Sequence, residues 1–445
     1  MTHGFVLPKG ASLRNSHLGS AAMLASVFAL AHHPTAAHAQ ELESASDPEQ
    51  NSLNTIVVTA RRKEEALQDV PVTVTSVGSE TLETFAVTNV DKIVSRVPTL
   101  NIQQGGANGG ASLSLRGVGT ANVSAAFDSA VALDFDGVQI GQLRILQAGF
   151  FDLEQVDLLK GPQSLYFGKS ASAGVLSFRS AGPTDTWELG TRLTYETEER
   201  GYAAEAYVSG PLTDTLGVRL AGRFSQIDQI VVNEFPGVAN PERESQDIYL
   251  RGTLRWEPSA DFTADLRGNY ISNERDGAFL FQEIDCGPNG VADDVTLLGG
   301  GLNLAAGYNC DVGDGRVSIA DPAPPIVASL PTPFRSTSVP FHDTEIWFTR
   351  LAMDLDLTDR LTLTSVTGQY TLETTELDAV SFGGVLEGVP FGTGLGTPFI
   401  ANDQFTQEVR LTGSDFGAFS FTLGAFYEYR DFDFDAPLYA VNIGL

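Results

Sequence analysis

Histidine is scarce in this chain, and its absence limits the chemistry that the protein can perform. Five of the six histidines lie before residue 40, and only His342 remains in the body of the chain. Histidine is the usual general base and a common zinc ligand. No Gly-x-Ser-x-Gly or zinc-binding motif occurs either. We therefore expect no enzyme, no catalytic residue, no metal site and no cofactor.

Positive charge is also in short supply. The chain has 27 lysine and arginine residues against 56 aspartate and glutamate residues, a formal net charge of −29. Proteins that bind nucleic acid need clustered basic side chains to neutralise phosphates. The composition therefore excludes nucleic acid as a partner.

The chain has no hydrophobic run long enough for a membrane-spanning helix. The apolar stretch Leu18–Ala31 is shorter than the roughly 20 residues that such a helix needs. Lys9 and Arg14 precede it, and Ala37-His38-Ala39 follows it as a cleavage site. Residues 1–39 are therefore predicted to be a secretory signal, and the mature chain is exported.

Cysteine is nearly absent, with one pair at Cys286 and Cys310. In an exported chain, two cysteines close in sequence indicate a disulfide. Free thiols and metal ligands are the alternatives, and the lack of a nearby histidine argues against metal.

A short run of β-forming residues follows an acidic, polar tail at residues 40–54, which we expect to be disordered. The run is Thr55, Ile56, Val57, Val58, Thr59 and Ala60. We expect it to be isolated and unable to bury itself, and thus suited to adding as a strand to a partner's sheet edge. An ordinary first strand of the next domain is the alternative.

Residues 66–182 indicate a small, tightly turned α+β domain. Val70–Thr75 is a predicted strand, and the stretch from Thr88 to Arg96 is a predicted short helix. Asp136-Gly137 marks a hairpin turn, and Gly161-Pro162 ends a strand. Turn formation, rather than paired catalytic carboxylates, is the role expected of Asp134 and Asp136.

From Trp187 onwards, apolar and polar residues alternate with period two. Nine strands are predicted between Glu188 and Asp431, each apolar on one face and charged on the other. Their connections alternate between tight turns and long loops, apart from the short first hairpin. This pattern predicts a membrane barrel with lipid outside and water inside. A soluble β-sandwich is the alternative, and the loop lengths argue against it.

Several motifs resemble TonB-dependent outer-membrane receptors, in the family's order. Asp152–Gly168 (DLEQVDLLKGPQSLYFG) and Ser114–Val118 (SLRGV) resemble the family's plug-domain signatures. Thr55–Ala60 resembles its TonB box, and Gln407–Gly413 resembles a common barrel segment. Lys169–Val175 departs from the pattern, because many relatives carry an Arg-Asn pair there.

The resemblance implies a β-rich membrane protein with an N-terminal α+β plug followed by an antiparallel transmembrane β-barrel. It implies a periplasmic tail at 40–65, a plug at 66–182 and barrel strands in 188–445. The plug-motif residues are Arg116, Gly117, Asp136, Gly137, Gly161, Pro162 and Gly168. The tight turns would lie in the periplasm, which places Cys286 and Cys310 in an outer loop.

The implied function is active transport across the outer membrane of a Gram-negative bacterium. The partners would be TonB with its proton-driven inner-membrane complex, outer-membrane lipid, and a scarce extracellular ligand. The expected ligand is an iron–siderophore complex, and no ligand-contacting residue can be named from the sequence. A receptor for carbohydrate, cobalamin or another organic nutrient is the first alternative, and a passive porin-like barrel is the second.

The barrel is expected to be incomplete in this chain. Counted by turn type, the ninth strand runs outward and no return strand is predicted after it. A family barrel of about 22 strands also needs more residues than follow Trp187. The alternative is a complete small barrel with one strand missed near Pro437–Leu445.

Overall fold

The structure is a computed structural model. It describes residues 57–59, 62, 64–68, 70–85, 87, 90–95, 97, 99–104, 111–120, 129–141, 143–148, 151–197, 200–228, 232–233, 243–276, 296–297, 302–303, 317–318, 341–386, 389–396, 399–416 and 419–441. The predicted signal, Thr55, Ile56, Ala60, Cys286 and Cys310 lie outside these residues. Within the described ranges, no helix is both long enough and apolar enough to cross a membrane.

The N-terminal part, called the plug here, consists of short elements. Its strands are β1 Val57–Thr59, β2 Glu64–Ala66, β3 Thr73–Gly78, β4 Leu100–Gln104, β5 Ala111–Leu115, β6 Val118–Gly119, β7 Val131–Phe135, β8 Val138–Ile140, β9 Leu153–Lys160 and β10 Gly174–Ser180. Its helices are α1 Ser79–Thr84, α2 Val90–Val94 and α3 Ser164–Phe167, with a 3₁₀ helix at Leu143–Ala148. The strand predicted at Val70–Thr75 begins three residues later, and the helix predicted to reach Arg96 ends at Val94.

A five-stranded mixed sheet forms the centre of the plug. Its order is β3-β9-β10-β7-β8, and only the β10–β7 pair is parallel. Strands β7, β9 and β10 are buried on both faces, which accounts for their continuous apolar runs. Phe135 and Phe178 stack at 4.4 Å within this sheet. A second sheet, β4-β5-β6, contributes Leu113 and Leu115 to the same core.

Two plug motifs form the same kind of turn. Arg116-Gly117 joins β5 to β6 with φ angles of 53° and 81°, and Asp136-Gly137 joins β7 to β8 with 50° and 88°. Two successive positive φ angles define the type I′ turn, whose twist matches that of a two-residue hairpin. The hairpin predicted from Asp136-Gly137 is therefore present.

Nine long antiparallel strands form the second part, called the wall here. They are β11 Glu188–Glu196, β12 Gly201–Thr213, β13 Leu216–Asp228, β15 Arg243–Ser259, β16 Phe262–Asp276, β20 Phe341–Thr358, β21 Leu361–Leu386, β23 Phe399–Phe416 and β24 Phe419–Asp435. Each pairs with the next long strand. Four two-residue strands lie between them: β14 Val232–Asn233, β17 Thr296–Leu297, β18 Leu302–Asn303 and β19 Val317–Ser318.

Tight turns join alternate strands at one end of the wall, as predicted. At the other end, one predicted long loop is different. Instead of ending in a loop, β21 continues to Leu386 and pairs with β22, Val389–Gly396. The last strand, β25 Leu438–Val441, pairs with β22 rather than returning along the wall. The third connection is therefore an extended β-hairpin.

The two faces of the wall differ in the predicted sense. Leu193, Leu250 and Trp256 are exposed on the outer face, while Asp265 and Arg267 are buried on the inner face. Exposed aromatic residues lie near both ends of the strands: Trp187, Trp256 and Phe419 near the tight turns, and Tyr195, Trp347 and Tyr429 towards the other end. Two aromatic girdles around an apolar band are typical of outer-membrane strands.

Part of the inner face is apolar and packs against the plug. Tyr249, Ile346, Phe348, Leu372 and Ile400 are buried in one cluster with plug residues. The plug contributes Ile145 and Leu146 of its 3₁₀ helix to that cluster. Burial of apolar area therefore helps to seat the plug against the wall.

Candidate functional site

The described part of the predicted partner-binding run, Val57–Thr59, is paired, and this corrects the expectation that it is isolated. Val57–Thr59 pairs antiparallel with Glu64–Ala66 as a two-stranded hairpin. Val58 is 0% exposed and packs in a cluster with Val70, Leu159 and Phe167 of the plug. The strand is not isolated because Glu64–Ala66, a few residues later in the chain, forms its partner strand.

Arg62, in the turn of this hairpin, holds it against the plug. Its Nη1 donates to Asp134 Oδ1 at 2.6 Å and to the Gly137 carbonyl at 2.9 Å. Its Nε donates to the Tyr166 carbonyl at 3.3 Å, and the guanidinium lies 4.4 Å from the Phe167 ring centroid. The backbone of Arg62 is left-handed, with φ 60°. A strained conformation and a buried charge are both held in place by these contacts.

Arg62 also reaches the wall. Its Nη2 lies 3.8 Å from Glu408 Oε2 on β23, and Glu408 is itself bonded to Arg410 at 2.7 Å. Glu408 belongs to the Gln407–Gly413 segment. Arg62 therefore connects three features: the hairpin that contains Val57–Thr59, the Asp134–Gly137 hairpin of the plug, and the Gln407–Gly413 segment of the wall.

A second attachment is built around Asp136. Its Oδ1 accepts from Arg267 Nη1 at 2.7 Å, and its carboxylate also accepts from the backbone N–H and the hydroxyl of Ser180, each at 2.8 Å. Burial acts to raise the pKa of Asp136. The charges of Arg267, Arg350 and Arg251, with the Ser180 backbone bond, outweigh burial and lower the pKa to about 2. Asp136 is therefore a carboxylate at any physiological pH.

The arginines around Asp136 are neutralised by a wall residue, Asp265. Its carboxylate accepts from Arg267 at 2.9 Å, from Arg350 at 2.6 Å and from Arg255 at 3.2 Å. Without such partners, the buried guanidinium groups would carry a large desolvation cost.

Asp152 makes the third attachment, from the start of β9. Arg219 donates to it through Nη2 at 2.5 Å and Nε at 2.9 Å, a bidentate pair. Arg219 also lies 4.0 Å from the Tyr207 ring centroid. Arg251 Nη1 donates to the Asp152 carbonyl at 2.8 Å and to the Phe151 carbonyl at 2.9 Å. We call Asp136, Asp152, Arg219, Arg251, Arg267 and Arg350 the anchor cluster.

The comparisons with known proteins agree with this architecture. A family model for the TonB-dependent Receptor Plug Domain matches residues 66–175. Residues 66–175 are therefore similar to the plug domain of TonB-dependent receptors. This similarity agrees with the expectations of an outer-membrane location in a Gram-negative bacterium and of a protein that is not an enzyme.

The chain is similar to two curated proteins. It is 30% identical over 200 residues to the pesticin receptor of Yersinia pestis, covering 45% of this chain and 28% of that protein. It is 26% identical over 233 residues to the hemin receptor of Yersinia enterocolitica, covering 49% of this chain and 32% of that protein. The matched region therefore spans under a third of these relatives' length.

A solved structure shows the same fold. The ferric yersiniabactin uptake receptor FyuA from Yersinia pestis superposes with a TM-score of 0.60 at 18% identity, covering 83% of this chain and 50% of that one. The plug-and-strand architecture described above is therefore the receptor fold.

The other predicted plug residues serve as turns. The Gly161 N–H donates to the Ala173 carbonyl at 2.9 Å where β9 ends, and Pro162 follows it. Gly168 ends α3 with φ 67°. Arg116 and Gly117 are exposed at their hairpin. Lys169, in the stretch that departs from the family pattern, lies 2.8 Å from Glu428 on β24.

Sequence reasoning missed the residues that attach the plug to the wall. Arg62, Arg219 and Arg251 were not singled out, and neither was Glu408. The period-two alternation of the strands could have identified two of them, because Arg219 and Arg251 lie on the strand faces predicted to point inward. Among the described residues, no group of three or more histidine, cysteine, aspartate or glutamate side chains could hold a metal ion.

Proposed function

We propose that this chain works as an outer-membrane active-transport receptor that binds a scarce extracellular ferric chelate and imports it with energy from TonB. The observation that carries the proposal is the Val57–Thr59 strand, whose hairpin is bonded to the plug by Arg62 and brought close to Glu408 of the wall. A passive porin has no use for such a strand or for a plug seated by buried ion pairs. The turn rule places the tight-turn end of the wall in the periplasm.

TonB would couple to the receptor by strand addition. Among the described residues, β1 pairs only with β2, so its other edge can take a partner strand. A pull on β1 loads Arg62 first, because Arg62 holds the hairpin to Asp134 and lies beside Glu408. The hydrogen-bonded ladders of the wall make it the more resistant body, so the plug is the part that is remodelled.

The relatives' names support the choice of cargo. One relative is a hemin receptor, and the superposed structure is an uptake receptor for ferric yersiniabactin. The inner face of the wall also presents buried arginines, including Arg219, Arg251 and Arg267, that are committed to the plug and not to cargo. The cargo site would therefore lie on the other side of the plug from the tight turns.

The experiment is a backbone substitution in β1. Val57→Pro removes an amide and fixes the local backbone, which prevents strand pairing. Iron-limited cells carrying this variant should bind ferric chelates at their surface but fail to grow on them. Val57→Ala is the matched control, since it keeps the amide. Growth of the proline variant at normal receptor levels would refute the coupling role.

The same assay tests the cargo. Growth is scored on ferric hydroxamate, ferric catecholate and ferric citrate, and separately on haem and cobalamin. Rescue by a ferric chelate supports the proposal. Uptake of cobalamin alone would show that the proposed ligand is wrong, while the proposed role of Val57–Thr59 in energy coupling would stand.

A further inference from the structure

A cavity of about 440 Å³ separates one side of the plug from the wall. It lies between helix α1, which contributes Leu82 and Glu83, and strands β11 to β13, which contribute Arg192, Glu205 and Arg219. A cavity of this size matches those that hold drug-sized ligands. It therefore has room for a solute much larger than water.

The cavity lies in the tight-turn half of the wall. Glu188, the first residue of β11, lines it, and so does Arg219, which is only three residues from the start of β13. Under the proposed function, this half faces the periplasm. The cavity is therefore on the side of the plug from which an imported ligand would leave.

Helix α1 is held weakly on this side. It has six residues, no side-chain cap, and Leu82 as its buried residue. Its ion pair with the wall, Glu83 to Arg192, is 3.8 Å long, and the two side chains are 69% and 40% exposed. Exposed pairs of this kind contribute little.

The opposite border of the cavity is stiff. Asp152 and Arg219 form the bidentate pair of the anchor cluster, and both side chains are under 10% exposed. Arg219 is also stacked on Tyr207. A force that opens the cavity would therefore move α1 and leave Asp152 in place.

The lining is mixed: Leu82, Val87 and Phe151 are apolar, and most of its charged side chains are carboxylates. Glu83, Glu154, Glu188 and Glu205 face Arg192 and Arg219, and each of these arginines already has an acidic partner. An anionic solute finds no unpaired cation in the described lining, because Glu205 pairs with Arg192 and Asp152 pairs with Arg219. A polar chelate can pass without being trapped.

We propose that the imported ligand leaves through this cavity, which widens when α1 moves away from β11–β13. The proposal rests on the proposed transport function and adds the position of the passage. The moving element is α1, and the fixed border is Asp152–Arg219. The ligand class is a polar chelate that fits between them.

The test is a covalent tether across the cavity. Glu83→Cys and Arg192→Cys are joined by a short bismaleimide, in a chain where Cys286 and Cys310 are serine. The control tether joins Lys169→Cys to Glu428→Cys, an ion pair at 2.8 Å that links plug and wall elsewhere. Uptake of radioactive iron is measured with citrate, a trihydroxamate and a tricatecholate as separate chelators, and surface binding is measured alongside.

The cavity tether should lower uptake by about tenfold or more with binding unchanged, as blocking a gating motion does. The control tether should leave uptake within about twofold, because its side of the plug need not move. Equal loss with both tethers, or no loss with the cavity tether, overturns the proposal.

A second readout does not depend on the cargo. Leu82→Cys is buried on α1, and Thr253→Cys is buried on β15 beside the anchor cluster. Labelling by N-ethylmaleimide is compared in cells with an intact proton gradient and in cells treated with a protonophore. The gradient should speed labelling of Leu82→Cys and not of Thr253→Cys. If no chelate is imported, the proposed cargo is wrong. The labelling rate of Leu82→Cys then tests the exit route by itself, and a rate that is the same with and without the proton gradient overturns that route.

Discussion

The charged contacts that join the plug to the wall differ in strength between the box side and the anchored side. On the box side, Arg62 approaches Glu408 at 3.8 Å, too far for a hydrogen bond. On the anchored side, Asp136 and Asp152 meet Arg267 and Arg219 at 2.5–2.9 Å in buried, multiply bonded pairs. A pull through β1 therefore meets the weaker attachment first.

The difference gives the plug two functional parts. The box side, from β1 to Arg62, is bonded firmly within the plug through Asp134 but only approaches Glu408 of the wall. The anchored side keeps the central sheet in the lumen, because breaking a buried pair leaves an uncompensated charge.

Removing the charge of Asp136 should produce the largest effect. Asp136→Asn keeps a residue that tolerates the left-handed backbone but leaves Arg267 and Arg350 short of a carboxylate. The seating of the plug should weaken by about 3–5 kcal/mol. Urea-induced exposure of the plug to protease measures the change. The double variant Asp136→Asn/Arg267→Met should recover part of the loss, and strictly additive losses would contradict the pairing.

Acidification should weaken the anchored side. The surrounding arginines lower the pKa of Asp136 from 3.8 to about 2, so its contribution is complete above pH 4 and is lost as pH falls through about 2. The shift corresponds to roughly 2 kcal/mol. Plug seating measured from pH 5 to pH 2 should fall in the wild type. Asp136→Asn should lack this component, and an identical fall in both proteins would contradict the assignment.

Releasing Arg62 should affect the box side instead. Arg62→Ala leaves the hairpin without its bonds to Asp134 and Gly137, so ligand-free receptor should bind the periplasmic domain of TonB about tenfold more tightly, or about 1.4 kcal/mol. Calorimetry measures the affinity. Glu408→Gln is the control and should change it less, because Arg62 keeps its bonds to the plug. An unchanged affinity in Arg62→Ala would show that the hairpin is not restraining β1.

The Lys169–Glu428 pair should matter least. Lys169 is 43% exposed, and a partly exposed pair is worth about 0–1 kcal/mol. Lys169→Ala should leave plug seating and iron uptake near the wild-type values. A loss comparable with that of Asp136→Asn would mean that the anchored side extends to β24.

The wall could be predicted from the sequence because its signal is local. Alternation places Arg267 inward and Trp256 outward, and the tight turns follow from short polar connections between apolar runs. The signal fails where both faces are apolar, as at Ile346-Trp347-Phe348. There the inner residues pack on the plug while Trp347 stays exposed.

The attachments could not be predicted, because they join residues far apart in the chain. Asp136 and Arg267 are separated by 131 positions. The alternation along the strand predicts that Arg267 points inward, but it does not identify the residue that Arg267 binds. The burial of Val58 could not be predicted from the sequence for a different reason. It depends on a left-handed arginine in the turn, a conformation that local propensity does not favour.

A force measurement on a single molecule distinguishes release of the box side from release of the whole plug. A TonB domain bound to β1 pulls on receptor held in a lipid bilayer, and the chain length released at the first rupture is recorded. The account predicts release of no more than the chain before Val131, about 260 Å at roughly 3.5 Å per residue, with the anchored side intact. One rupture releasing the chain as far as Ser180, about 430 Å at the same spacing, would contradict it.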